Sequence, residues 1–320
     1  MTISKRLLQL VAVVLAVTFL SFLMLNLLPG GPEVSICATA ASEKCFEEVR
    51  SDLGLDKPLP VRYLQWLGNA LTGDLGESAI RPEPVWQAIT QRLPVTLELL
   101  VYSQFLALAV AIPAGVYAAH RAGGLFDRIS TTVAFALLSA PNFVVAIVLI
   151  LIFAVQLKIF RVQGYTNLTA DLPGSIFTNL KDFFLPSLTL AVAEMAVYLR
   201  LLRNDMIATL QEDYITMAKA KGLPDGTILL RHALRPSTFS LVTVAGLNMG
   251  RLIGGALVVE VIFGLNGLGQ YLVEAIFRRD YIPVQGTVVV IAVGYVLINF
   301  LVDMLYSVLD PRIGHGRAIA

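Results

Sequence analysis

The chain alternates long apolar runs with shorter polar segments. Residues 7–28 pass without a charge, a length of about 33 Å as a helix against a hydrocarbon core of roughly 30 Å. Further apolar stretches lie at 95–119, 129–156, 183–202, 239–263 and 284–308. The pattern predicts six transmembrane helices, with both chain ends on one side. Pro113, Pro141 and Pro186 fall within the stretches, and membrane helices tolerate proline where neighbours re-satisfy the backbone. Lys5 and Arg6 precede the first run as they would in a signal peptide. The run is too long for an h-region, however, and Ala38-Thr39-Ala40 lies too far beyond it for cleavage. The first run is expected to be retained as a span.

Two polar segments carry patterns of their own. In 30–94, Ser42 is placed to cap a helix through Phe46 and Val49 that stops at Gly54. Pro60 opens a second helix, whose Tyr63, Leu64, Trp66, Leu67 and Leu71 form one apolar stripe ending at Gly73. Trp86, Ile89 and Leu93 predict a short amphipathic helix feeding the second span. Such helices either lie on lipid or present a docking surface to a partner. In 203–238 a polar, helix-favouring stretch stops at Gly222, turns at Leu223-Pro224-Asp225-Gly226, and resumes as a short helix over 227–234 that Arg235-Pro236 ends. Ala218, Ala220 and Gly222 at this bend permit close approach by another surface. A structureless loop of that length would be unusual.

Composition agrees with a membrane protein. Of 320 residues, 56% are apolar and 15% charged, where soluble domains carry about 25% charge. With 24 Lys and Arg against 23 Asp and Glu, the chain has no basic surplus for nucleic acid. Two cysteines and three histidines exclude a zinc cluster. Lys and Arg are denser in the segments that share a side with Lys5 and Arg6, which places both termini in the cytoplasm by the positive-inside rule. The division expected is 1–29 as tail and first span, 30–94 as an extracytoplasmic loop, and 95–320 as a five-helix core that includes the inner loop 203–238. Cys37 and Cys45 then lie on the oxidising side, close enough in sequence for a disulfide.

No phosphate-binding loop, zinc-protease helix or nucleophile elbow is present, so no catalytic or metal site is expected. Glu98, Glu194, Arg251, Glu260 and Asp303 are the charged residues within or at the ends of the spans that stand out, and such groups favour a bundle interior or a water path. Glu98 and Glu260, near span ends, are expected to snorkel or cap. Glu194 and Arg251 lie deeper and suit either an inter-helix ion pair or a translocation pathway. Gly246, Gly250 and Gly254 recur at every fourth position, a face on which another helix can pack closely.

The residues 214–223, Tyr-Ile-Thr-Met-Ala-Lys-Ala-Lys-Gly-Leu, followed by Leu229-Leu230-Arg231-His232-Ala233-Leu234-Arg235, resemble the coupling loop of ABC importer permeases, in the spelling of the peptide/nickel subfamily. Leu28-Pro29-Gly30, Gly73-Asp74-Leu75-Gly76, residues 92–99, Leu185-Pro186-Ser187-Leu188, Arg279-Asp280-Tyr281 and Asp310-Pro311-Arg312 extend the resemblance along the chain. The long first outer loop is similar to that of the B-type permease of dipeptide and oligopeptide importers. Thr216 stands where the wider family has Glu, Pro224-Asp225-Gly226 replaces a Ser-led helix start, and 36–45 reads as an insertion.

The resemblance implies an all-α, type I importer permease in a bacterial inner membrane, pairing with a second homologous permease. It further implies two ATPase subunits that hold ATP and Mg, and an extracytoplasmic peptide-binding protein. Tyr214, Ala218, Lys219, Ala220, Lys221, Gly222, Leu223, Arg231 and His232 would form the ATPase-coupling surface. The cargo implied is a di- or oligopeptide, with nickel, glutathione or another small solute as the alternative. An ion-coupled transporter built on Glu194 and Arg251 would require inverted repeats, and none is visible. A membrane enzyme would need a nucleophile–base arrangement, which is likewise missing.

Overall fold

A computed structural model describes residues 3–27, 37, 42–52, 54, 56–166 and 174–309. Among these the chain is helical, with a single isolated β-bridge between Glu77 and Pro84. Leu28-Pro29-Gly30, Leu53, Asp310-Pro311-Arg312 and the side chain of Asp303 lie outside the described set. The helices are α1 (Ile3–Leu27), α2 (Glu43–Asp52), α3 (Leu59–Leu71), α4 (Val85–His120), α5 (Leu125–Ser139) and α6 (Asn142–Leu149), which winds on as a π-helix over Ile150–Gln156. There follow α7 (Gly174–Leu210), α8 (Asp213–Ala220), α9 (Asp225–Thr227), a π-helical turn Ile228–Ala233, α10 (Leu234–Phe263), α11 (Leu268–Phe277) and α12 (Tyr281–Leu309).

Five described helices are long and apolar enough to cross a bilayer, and six if the bent pair α5–α6 counts as one. The stretch expected as a span over 129–156 is this bent pair, whose two halves meet at 106°. The cause is local. Ala140, preceding Pro141, lies outside the helical region at φ −87°, ψ 124°, the direction in which a proline ring biases its predecessor. Pro186 sits inside continuous α7, and Pro94 and Pro113 inside continuous α4. The separate amphipathic helix expected around Trp86 is thus the first turns of α4, whose 36 residues exceed a span's requirement of ~20.

The chain packs as two units. One comprises Met1–Thr96 and Asn266–Leu297, so the long polar segment between α1 and α4 joins α11 and most of α12 instead of standing apart. Leu75, Val85, Ala88, Ile89, Leu268 and Tyr271 form its core. Helix α3 is fastened to α1 by Tyr63, whose hydroxyl lies 2.8 Å from Thr18 Oγ1 and whose ring meets Phe19 and Phe22 edge-on. Of the stripe expected on α3, Tyr63 is buried while Leu64 and Leu71 are exposed, so only part of that face packs inward. Ser42 caps α2 through Cys45 N–H at 3.2 Å. Cys37 and Cys45 are joined as a disulfide with Cα atoms 6.1 Å apart. Gly76 has φ +87°, and a Cβ there would lie 2.9 Å from Ile282, so both the backbone and its neighbour require glycine.

The other unit comprises Leu97–Leu265 and Ile298–Ala320. Its core is rich in small residues. Ala107, Ala111, Ala191 and Ala245 interleave with Tyr198, Leu202, Met206 and Leu241, which suits helices that associate by close packing, since lipid offers no hydrophobic drive between them. Val101, Phe105, Phe135 and Ile147 point outward, where acyl chains replace water. The glycine series on α10 does not form one seam. A Cβ on Gly246 would meet the Val302 side chain at 2.5 Å, Gly250 is buried, and Gly254 faces nothing within 4 Å. The glycine opposed to Leu190 and Asn142 is instead Gly255.

Candidate functional site

The segment between α7 and α10 folds as a compact hairpin. Helix α8 ends in a full left-handed stop: Gly222 has φ +78°, its N–H reaches Lys219 O at 2.9 Å, and Leu223 N–H reaches Ala218 O at 3.3 Å. These are the paired bonds of a Schellman motif. Ile215, Ala218 and Ile228 pack together with Leu210 behind them, so the hairpin has its own small core. Ala218 therefore faces inward, against the expectation that it helps keep the outer surface shallow. Ala220, Lys219, Lys221, Gly222, Leu223 and Arg231 are exposed, and His232 is half-buried. Tyr214, Met217 and Leu230 are exposed apolar groups beside them. Met217 and Leu230 were not singled out from sequence, although their positions opposite Ile215 and Ile228 would have marked them as the outward face.

The second half of the hairpin differs from the pattern-based expectation. Arg235-Pro236 ends nothing, because the π-turn Ile228–Ala233 runs directly into α10. Pro236 lacks an N–H, which removes the α-helical donor for His232 O four residues earlier. That carbonyl accepts from the Tyr214 hydroxyl at 3.4 Å, tying α8 to the start of α10. The Tyr214 phenol is held above its ordinary pKa by burial and by the neighbouring Glu212 carboxylate. Pro224 opens α9 with no side-chain cap; its carbonyl takes the Thr227 and Ile228 N–H groups at 2.9 and 3.1 Å.

A second cluster lies in the same unit, along α4, α7 and α10. Asn248 Nδ2 donates to Glu194 Oε2 at 2.6 Å, and the Tyr198 hydroxyl donates to Gln104 Oε1 at 3.2 Å. Gln104 Nε2 is buried without a partner. Glu194 is half-buried and Arg251 exposed, and the carboxylate bonds to Asn248 without a contact ion pair to Arg251. The cluster holds donors and acceptors in one region, with Gln104, Tyr198 and Asn248 buried and Glu194 and Arg251 at its more open side. Sequence reasoning found Glu194 and Arg251 by their charge and missed Gln104, Tyr198 and Asn248. The spacing of Tyr198 four residues after Glu194, and of Asn248 three before Arg251, was the available signal.

Two other charged groups are also resolved. Glu260 is fully buried, so within this chain it does not snorkel to water, one of the two roles that its position near a span end had suggested. Glu98 is half-buried, with Oε1 lacking a partner. Arg203 on α7 grips Asp127 on α5 through both carboxylate oxygens, Nη2 to Oδ2 at 2.7 Å, and Gly123 N–H adds a third bond at 2.7 Å. No cluster of metal ligands occurs among the described residues.

Two family descriptions match the chain. "Binding-protein-dependent transport system inner membrane component" covers residues 111–315, and its N-terminal companion covers residues 1–100. Similar curated proteins include the di/tripeptide transport system permease protein DppB of Pseudomonas aeruginosa, 37% identical over 98% of this chain and 99% of that protein. The oligopeptide transport system permease protein AppB of Bacillus subtilis is 37% identical over 97% of this chain and 98% of its own length. The glutathione transport system permease protein GsiC of Pectobacterium atrosepticum is 40% identical over 97% of both.

Proposed function

Because the chain belongs to the binding-protein-dependent transport system inner membrane components, multi-pass permease subunits of ABC importers, we propose that it carries di- and oligopeptides into the cytoplasm. In this reading it pairs with a second, homologous permease. Two ATPase subunits beneath the pair bind ATP and Mg and supply the energy, and an extracytoplasmic binding protein delivers the peptide. Both termini are cytoplasmic, as is the α8–α9 hairpin, whose exposed Tyr214, Met217, Leu223 and Leu230 form the contact with an ATPase. Lys219, Lys221 and Arg231 flank that contact, but exposed ion pairs contribute only ~0–1 kcal/mol each, so shape governs the fit.

The observation that supports peptide cargo most directly is the near-full-length identity to proteins named for di/tripeptide and oligopeptide transport. Half-buried Glu194 and exposed Arg251, backed by the buried amides of Gln104 and Asn248, support a pathway beside α10. Glutathione is the second reading, favoured by the 40% identity to a glutathione permease; it is itself a small peptide, so the two differ in selectivity and not in mechanism. The test is ATP-dependent uptake by the reconstituted importer of labelled dipeptide, tripeptide, pentapeptide, glutathione and nickel, each with its binding protein. Uptake of ordinary peptides is the expected result. Uptake of glutathione or nickel alone would overturn the peptide assignment, and ATP-independent uptake would overturn the importer reading.

A further inference from the structure

Helix α3 carries three stripes, each offset from the next by one residue. Tyr63, Trp66 and Ala70 form the packed one: Tyr63 is buried against α1, and Trp66 and Ala70 pack on the core of the same unit. Arg62, Gln65 and Asn69 form a narrow polar strip. Val61, Leu64, Gly68 and Leu71 form the third stripe, and it is open. Leu64 is 64% exposed and Leu71 82%, and a Cβ on Gly68 would meet nothing within 4 Å. A surface helix of a water-soluble domain turns one apolar face to its core. Helix α3 has two, and the second is uncovered among the described residues.

The attachment to α1 sets the level at which that open face lies. The apolar window of α1 is Leu10–Leu27, about 27 Å long against a hydrocarbon core of ~30 Å. The Tyr63 ring lies against Phe19 and Phe22, with centroids 5.2 and 5.7 Å away. Its hydroxyl reaches further from Leu27, to Thr18 Oγ1 at 2.8 Å and Leu15 O at 3.3 Å. Phe22 and Phe19 stand five and eight residues before Leu27, roughly 8 and 12 Å along the axis. The Tyr63 side chain is therefore sunk in the apolar layer, and the α3 backbone lies one tyrosine length from that depth. Interfacial helices bury their apolar face by about 5–10 Å at the boundary of headgroups and acyl chains, which is the same level. The charges next to the helix start keep to its polar side: Asp56 and Lys57 are exposed, and Lys57 Nζ donates to Gln65 Oε1 at 3.3 Å.

We propose that α3 is seated in the membrane interface at the Leu27 end of α1, with lipid acyl chains covering Val61, Leu64, Gly68 and Leu71. The strip of Arg62, Gln65 and Asn69 then turns to headgroups and water. Depth favours lipid over a docked binding protein, because acyl chains reach a face carried at that level and a soluble protein does not. Which leaflet this is rests on the importer reading above: with cytoplasmic termini it is the outer one.

The test places single nitroxide labels through Leu64→Cys, Leu71→Cys and Asn69→Cys in the assembled importer in nanodiscs, without reductant so that Cys37 and Cys45 stay bridged. Collision with oxygen, which concentrates among acyl chains, should exceed collision with a water-soluble nickel chelate several-fold at positions 64 and 71. The ratio should invert at position 69. On wild type, a phospholipid with a diazirine on its acyl chain should add to residues 61–71 on illumination, a measurement that stands even if a labelled variant fails to assemble. Chelate-dominated collision at positions 64 and 71 would put the face in water and overturn the proposal. Low collision with both reagents would put a protein there, the second permease or the binding protein, and would overturn it as well. So would the absence of lipid adducts on residues 61–71. The leaflet is read separately, since a membrane-impermeant maleimide should reach Asn69→Cys from outside intact spheroplasts. Labelling from the inside alone would overturn the orientation on which the importer reading depends and leave the lipid contact standing.

Discussion

Gly222 offers the sharpest test of the hairpin, because its surroundings separate backbone strain from crowding. A Cβ at this position meets nothing within 4 Å, so the cost of a side chain lies in φ +78° alone. For an L-residue that conformation costs roughly 1–2 kcal/mol, and for a β-branched residue it approaches about 3 kcal/mol. The two bonds of the helix stop, at 2.9 and 3.3 Å, contribute only ~0.5–1.5 kcal/mol each. Valine therefore outweighs the motif and the turn re-forms elsewhere, whereas asparagine, which tolerates left-handed backbone, leaves it in place. Gly222→Asn should couple nearly as wild type, Gly222→Ala should lose several-fold, and Gly222→Val should lose most peptide-stimulated ATP hydrolysis. The assay is uptake and ATPase activity in proteoliposomes containing the whole importer, with Lys219→Ala as a mild control. A Gly222→Val importer that transports and hydrolyses normally would refute the assignment of this hairpin as the coupling element.

Arg251→Ala should reduce uptake severalfold while assembly and detergent yield stay normal; unchanged uptake would remove Arg251 from the pathway. Gly246→Ala should destabilise the isolated chain by about 1–3 kcal/mol through overpacking, with rescue by Val302→Ala, because the added Cβ collides with that side chain. Gly254→Leu should leave the isolated chain unaffected and impair co-purification with the second permease; normal pairing would free that face of the role. Thiol labelling of unreduced, denatured protein should find no reactive cysteine, since Cys37 and Cys45 are bridged. Two labelled thiols would contradict this, whereas closing a loop of separation 8 stabilises by about 2.5 kcal/mol in the chain-entropy account.

Elements governed by local physics were legible in the sequence. Uncharged runs of sufficient length became helices, Ser42 capped α2, and glycines at 54, 73 and 222 took positive φ where stops or turns were expected. Proline was not readable in this way. Pro141 breaks its helix while Pro94, Pro113 and Pro186 do not, because the outcome depends on which neighbours satisfy the freed carbonyls. The inward turn of Ala218 was hidden for a related reason, since the covered face of α8 is decided by Ile228 across the hairpin. Gln104 and Asn248 escaped a search for charge, being neutral amides. The bond from Ser78 to Asp280 joins residues 202 positions apart, and nothing in the intervening pattern announces it.

The unbroken passage from the π-turn into α10 has a mechanical consequence. Leu230 on the hairpin and Arg251 beside the polar cluster belong to one rod, separated by roughly 32 Å at 1.5 Å per residue. A push at one end is carried to the other through the π-turn and Pro236. The π-turn holds one residue more than an α-turn, and releasing that residue into the helix would rotate everything beyond it by about 100°. Such a twist would swing Arg251 from one side of α10 toward another while Leu230 stayed seated, turning a pressure at the surface into a change in what the pathway displays.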